Sequence, residues 1–174
     1  GTLNGLVRFD GLRFTVFDES NTPGLESSRI VSLFDDSHGS LWIGTETAGI
    51  ARLYDGQITS TGIGRGVREG RLVSACEDAS GAVWLYTWDG QLWRHQEGRF
   101  NAYLVDRGSS SACRSIIAEK DGPVWVGTSS SLSALAANPN ASSLELPVEQ
   151  SLPVTGVDLL LASRSGGYWR LGNR

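Results

Sequence analysis

Apolar side chains along this chain of 174 residues come in short alternating runs, separated by glycine-rich turns. Nowhere does a 3.6-residue period run long enough to predict a helix. Four inner runs stand out: Ile30 to Phe34, Leu72 to Cys76, Cys113 to Ile117 and Val157 to Leu161. Each leads into a tight turn carrying Gly39, Gly81, Gly122 or Gly166, and three residues beyond each glycine stands a tryptophan. Leu41-Trp42-Ile43-Gly44-Thr45, Val83-Trp84-Leu85-Tyr86-Thr87 and Val124-Trp125-Val126-Gly127-Thr128 share an apolar-Trp-apolar-x-Thr template, and Tyr168-Trp169-Arg170-Leu171-Gly172 is a weaker fourth copy. Third strands are predicted at Leu6 to Phe9, Ile50 to Tyr54, Leu92 to His95 and Leu132 to Ala136. More polar fourth strands are predicted at Arg13 to Phe17, Gln57 to Thr61, Arg99 to Leu104 and Ser143 to Pro147.

Trp42, Trp84, Trp125 and Trp169 stand 42, 41 and 44 residues apart. Four short strands per repeat of that length is the pattern of a β-propeller blade. The chain is therefore predicted to be all-β, a β-propeller of four-stranded antiparallel blades, either a fragment or a small ring. One propeller domain covers residues 1–174. Its parts are a half-blade of third and fourth strands with a linker (1–28), blades at 29–70, 71–111 and 112–154, and a half-blade of first and second strands (155–174). Gly1-Thr2 reads as the end of a preceding copy. The halves have three possible arrangements: they complete one another in a four-bladed ring, they do so across two chains, or they belong to a larger propeller. A blade with two apolar faces cannot bury both alone, so the repeated indole is expected to fill the gap between neighbours.

Composition narrows the function. A net charge of −4 argues against binding a nucleic-acid duplex. The longest strongly apolar run, Val157 to Ala162, is too short to cross a bilayer, and no charged start followed by an apolar stretch reads as a secretion signal. Lys120 is the sole lysine and lies in no phosphate-binding loop motif. Cys76 and Cys113 fall at opposite ends of inner strands in the repeat register, which favours thiols over a disulfide. His38 and His95 belong to different repeats and lack further ligands at convincing spacing, so no metal site is expected. Asp35-Asp36 and Glu77-Asp78 each read as one exposed acid and one turn former, because adjacent strand residues point to opposite faces. No catalytic residue and no cofactor is predicted.

Binding residues are instead expected on one rim, where connections between blades and turns between second and third strands emerge together. Those turns carry Glu46 and Thr47, Trp88 and Asp89, and Ser129 and Ser130. The connections carry Arg29, then Arg65, Arg68 and Arg71, then Asp106, Arg107 and Arg114. Trp88 has no aromatic counterpart in the other repeats. Aromatic faces stack on sugar rings while neighbouring acids and arginines bond the hydroxyls. The candidate ligand-binding set is thus Trp88, Asp89, Arg29, Arg71, Arg114, Glu46 and Arg107. Arg29 and Arg71 share one repeat position, thirteen residues before their tryptophans, and Arg8, Arg52 and Arg94 repeat on third strands, which suits a structural role.

The text of the repeat resembles the two-component regulator propeller repeat. The resemblance rests on Leu41-Trp42-Ile43-Gly44-Thr45, the following Gly49-Ile50-Ala51-Arg52-Leu53-Tyr54-Asp55-Gly56 and the preceding Ile30-Val31-Ser32-Leu33-Phe34-Asp35-Asp36-Ser37-His38-Gly39. The second copy has Tyr86 where the family has glycine. This resemblance implies an extracytoplasmic, periplasmic sensor domain of a bacterial histidine kinase that binds an oligosaccharide or other small solute without catalysis of its own. Its output domain would lie elsewhere, and its partners would be a second copy or further blades of a larger propeller. A protein-interaction or dimerisation scaffold is the alternative, and a propeller lyase or glycosidase the less favoured one. The Asp-box turn of sialidases fits poorly, since its acid position holds Ser37, Ala79 and Lys120.

Overall fold

The computed structural model describes residues 1–64, 71–104, 115–119, 122–128, 130–135, 148–154, 157–163 and 165–172. Among these, strands are the only repeating structure. They are β1 (Leu6–Phe9), β2 (Phe14–Phe17), β3 (Ile30–Asp35), β4 (Leu41–Thr45), β5 (Ile50–Tyr54), β6 (Gln57–Ser60), β7 (Leu72–Glu77) and β8 (Val83–Thr87). Then follow β9 (Gln91–Gln96), β10 (Arg99–Leu104), β11 (Ser115–Ala118), β12 (Val124–Gly127), β13 (Ser131–Leu135), β14 (Val148–Pro153), β15 (Leu159–Ala162) and β16 (Tyr168–Leu171). Three sheets have four strands in chain order, β3 to β6, β7 to β10 and β11 to β14. Two more, β1–β2 and β15–β16, have two strands each. This is the predicted all-β propeller architecture of four-stranded blades.

The chain forms two compact units, Gly1–Leu72 and Val73–Arg174. In the first, Leu6, Leu25, Ile30, Ile43, Ala51 and Ile58 form a buried cluster. In the second, residues from the sheet of β7 to β10 (Cys76, Trp84, Tyr86, Leu92, Tyr103) bury themselves with Ile116, Val124, Val126 and Leu135 of the next sheet. That sheet's other face closes through Trp125 and Leu132 onto Val157 and Leu160. The sheet of β11 to β14 is therefore apolar on both faces, and stacking hides both.

A small set of polar atoms recurs in the three complete copies and fixes the indole. Trp42 Nε1 donates to Asp36 Oδ2 at 2.9 Å, Trp84 Nε1 to Asp78 Oδ2 at 2.7 Å and Trp125 Nε1 to Glu119 Oε1 at 2.9 Å. In each case the acid lies six residues before the tryptophan. The other oxygen of the aspartates holds the turn: Asp36 Oδ1 accepts from the His38 and Ser40 amides, Asp78 Oδ1 from those of Ser80 and Ala82. Asp36 and Asp78 are thus turn formers as expected, but they also satisfy a buried indole. Arg52 and Arg94 lie over the rings of Trp42 and Trp84, 5.3 and 5.6 Å from the centroids, which gives the repeated arginine its structural role.

Inner-strand serines, ten residues before each tryptophan, form a second recurring device. Ser74 Oγ donates to the Ile116 carbonyl at 3.3 Å and accepts its amide at 3.1 Å, tying one inner strand to the next. Ser115 Oγ likewise reaches the Leu160 carbonyl at 3.4 Å, and Ser32 Oγ the Leu72 carbonyl at 3.2 Å. The template glycine has a matching reason. A Cβ on Gly44 would meet the Leu72 Cβ at 2.7 Å, and one on Gly127 would meet Val157 Cγ1 at 2.6 Å. In the second copy Tyr86 replaces that glycine and is itself fully buried.

Two expectations need correcting, and a third, the thiols, agrees with the structure where it is described. Trp169 is 70% exposed, not an anchor like the others; its acid position holds Ser163, and nothing among the described residues covers its face of β15–β16. The fourth strand of the third complete sheet is β14 (Val148–Pro153), paired with β13, while the predicted Ser143 to Pro147 lies outside the described residues. Cys76 is a buried thiol, and Cys113 lies outside the described residues.

Two tests follow from this anchoring chemistry. Replacing Trp84 by Phe keeps most of the apolar contact but strands the Asp78 oxygen, and is expected to cost about 2 kcal/mol in chemical denaturation. Gly44→Val, which drives a branched side chain into Leu72, is expected to cost about 1–3 kcal/mol. A wild-type midpoint for Gly44→Val would show that the close approach is not needed.

Candidate functional site

The turns between second and third strands are built on the template threonine. Thr45 Oγ1 donates to the Gly49 carbonyl at 2.8 Å and accepts the Ala48 amide at 3.0 Å. Thr87 Oγ1 bonds the Gln91 carbonyl at 3.0 Å, and Thr128 Oγ1 bonds the Ser131 carbonyl at 3.2 Å. The threonine thus braces each turn from below; at the tips Thr47, Trp88, Asp89 and Ser130 are exposed, while Glu46 and Ala48 are half-buried.

In the second unit that tip is Trp88-Asp89. The Gly90 amide closes on the Thr87 carbonyl at 3.1 Å, and Gly90 takes a left-handed φ of 85°, a conformation that suits glycine. Trp88 is 47% exposed, and Asp89, also exposed, accepts a hydrogen bond from Thr87 Oγ1 through one carboxylate oxygen. The arrangement presents an indole beside a carboxylate on a braced turn. In the first unit the corresponding turn carries Glu46, whose carboxylate pairs with the Arg29 guanidinium, while its amide donates to the Arg29 carbonyl at 2.9 Å. The structure thus brings together two of the rim candidates, Arg29 and Glu46, whose pairing the sequence did not indicate. Arg71 is half-buried just before β7, whereas Arg107 and Arg114, like Arg65, Arg68, Asp106 and Ser129, lie outside the described residues. Of the five described candidates, Arg29 with Glu46 in the first unit and Trp88 with Asp89 in the second form local pairs, and Arg71 belongs to neither.

Asp36 and Asp78, read from the sequence only as turn formers, are held in their charged form by the hydrogen bonds around them. Burial disfavours the charged form of Asp36, yet hydrogen bonds from the Ser40 amide and the Trp42 indole outweigh it and hold the carboxyl below its ordinary value. Burial also opposes ionisation of Asp78, and is outweighed by the Ser80 hydroxyl, the Trp84 indole and two backbone amides. The signal was present in the sequence as an acid at a fixed six-residue offset from each buried tryptophan. Nearby, the Tyr103 hydroxyl is buried without a hydrogen-bond partner; burial raises its titration point, partly opposed by Arg94. His38 and His95 are not gathered with other metal-binding side chains among the described residues.

Residues 24–47 match the family model of the two-component regulator propeller, and the chain carries that repeat. Among solved structures, the extracellular domain of BT4673 from B. thetaiotaomicron, named as part of a one-component system, is similar. It has a TM-score of 0.73 at 20% identity, over 99% of this chain and 24% of that one. A streptogramin B lyase gives a TM-score of 0.70 at 17% identity over 98% of this chain and 56% of that one. A virginiamycin B lyase from Staphylococcus aureus gives 0.58 at 14% identity over 96% and 61%. These likenesses are to the fold, and the chain spans about a quarter of the BT4673 domain. No curated protein is matched by the sequence.

Depressed carboxyls make stability depend on acid. Both groups bind protons less readily when folded, so their contribution is complete above the ordinary carboxyl value of 3.8 and is lost as pH falls below it. Melting temperature is expected to drop on acidification from about pH 5 to pH 2, and an Asp36→Asn, Asp78→Asn variant should show a shallower slope. An unchanged slope would place the acid sensitivity elsewhere.

Proposed function

We propose that this chain is a ligand-sensing portion of the extracytoplasmic propeller of a two-component signalling receptor, that it recognises a saccharide-like solute, and that it carries no catalysis of its own. The two-component regulator propeller repeat at residues 24–47 and the fold shared with the BT4673 extracellular domain support the receptor assignment. No helix of the described residues is long and apolar enough to cross a membrane.

Trp88 is the observation that carries the binding assignment. Its half-exposed indole stands on a turn braced by Thr87 and offers part of an aromatic face to solvent, where the other copies place Glu46 and Ser129. A flat apolar face flanked by the Asp89 carboxylate suits a pyranose ring, whose C–H face stacks on the indole while its hydroxyls donate to the acid. Arg29 and Glu46 offer a second, polar contact on the first unit. Occupancy transmits a signal only in so far as the ligand binds one receptor arrangement more tightly than another.

Isothermal titration of a panel of neutral and acidic oligosaccharides tests the assignment. One member is expected to bind saturably, and Trp88→Ala to weaken it about ten-fold or more, roughly 1.4 kcal/mol. Because Trp88 is exposed, its removal should change folding stability by no more than about 0.5 kcal/mol. A folded protein that gives no heat with any sugar, or binding indifferent to Trp88→Ala, would sink the proposal.

A further inference from the structure

The residue just before each template threonine starts a row of side chains that crosses its sheet directly beneath the rim turn, because partners opposite one another on neighbouring strands share a face. In the first complete sheet the row is Gly44, Ile50 and Thr61, whose amide donates to the Ile50 carbonyl at 3.0 Å. In the third it is Gly127, Leu132 and Leu152. In the sheet of β7 to β10 it is Tyr86, Leu92 and Tyr103, all buried. Two phenol rings thus stand where the other copies carry a glycine and a smaller outer-strand residue. They stand under the copy whose turn bears Trp88.

Gly44 and Gly127 serve the close approach of Leu72 and Val157. Tyr86 serves another end. A Cβ on Gly90 would meet the Tyr86 hydroxyl at 3.8 Å, so the side chain reaches the underside of the turn that holds Trp88 and Asp89. At its base Tyr86 belongs to the buried cluster of Trp84, Leu92, Tyr103 and Ile116, and so joins core to turn. Tyr103 lies beside the anchoring indole instead, its ring 5.9 Å from that of Trp84. Three departures from the other copies, at Tyr86, Trp88 and Asp89, fall within four consecutive residues.

We propose that Tyr86 is the positioning residue of the rim site. Its ring, fixed in the core, is the shelf that holds the turn from Thr87 to Gln91 in the conformation that presents Trp88 and Asp89 to a sugar. This role rests on Trp88 being the binding residue. A turn that becomes ordered only when it binds loses part of its contact free energy to that ordering, and a rigid support beneath it removes the loss.

Three variants separate positioning from packing. Tyr86→Leu keeps an apolar side chain in the core but stops short of Gly90, Tyr86→Phe keeps the ring, and Tyr103→Leu truncates the other ring of the same row. The indole N–H resonance of Trp88, identified by its loss in Trp88→Ala, and amide exchange at Gly90 are read in the full chain without ligand. Tyr86→Leu is expected to shift and broaden the resonance and to speed the exchange, and Tyr86→Phe to restore both. Tyr103→Leu is expected to lower the melting temperature and leave both signals as in wild type.

Calorimetric titration with the oligosaccharide panel, including β-linked tetrasaccharides of glucose, xylose and galactose, adds the binding readout. A sugar whose binding depends on Trp88 should bind about ten-fold more weakly to Tyr86→Leu, and within about two-fold of wild type to Tyr86→Phe. If Tyr86→Leu does not fold, Tyr86→Met fills the same space with a pliable side chain and carries the same expectations. An unmoved indole resonance in the folded variant, an equal change in Tyr103→Leu, or an unchanged affinity would each overturn the positioning role. If no sugar binds the wild type, the sugar reading falls, and the indole and amide signals still decide the role of Tyr86.

Discussion

The structure depends on placing a large indole between two sheets without stranding its N–H. Burying the ring supplies apolar contact on both sides of the gap, but an unbonded donor in that position would forfeit much of the gain. The carboxylate six residues upstream resolves the conflict. It reaches the indole with one oxygen and, where it is an aspartate, holds the intervening turn with the other. The turn glycine, the arginine stacked on the outer face of the ring and the threonine that closes the next turn all keep this one group in place.

From that constraint the rest of the architecture follows. A satisfied indole lets a sheet be apolar on both faces, and such a sheet must be covered on both. The covering brings inner strands close enough for Ser74 to bond Ile116 and for Ser115 to bond Leu160. It also makes Gly127 necessary, since any side chain there would enter Val157. The turns that carry Trp88 and Glu46 are braced by threonine, and at their tips the copies differ in sequence.

Most of the fold was legible because indole spacing and alternating runs are imposed by burial itself. The polar half of the anchoring device was harder to read. Asp36, Asp78 and the inner serines look like ordinary turn and surface residues until their partners are known, and only a fixed offset from each tryptophan distinguishes them. The outermost strand of the third complete sheet was misplaced for the opposite reason. β14 is exposed along its whole length and so carries no burial pattern, whereas the alternating Leu144 and Leu146 just before it imitate one. Trp169 fits the template in spelling, but Ser163 cannot stand in for the missing carboxylate, and a tryptophan's position alone does not say whether another sheet lies over it. At the rim, Arg29 and Glu46 were named from repeat position but not as a pair, because a long arginine side chain can reach several neighbours and the sequence does not say which.

The indole's hydrogen-bond partner lies close by in the chain. Asp36, Gly39, Trp42, Gly44 and Thr45 fit within ten consecutive residues and Arg52 follows seven residues later, so the anchoring chemistry is contained in a single uninterrupted stretch. A genetic duplication of one copy therefore carries over a finished joint and needs no compensating change elsewhere, so propellers of this kind can gain or lose blades in whole units while each copy's rim turn diverges independently.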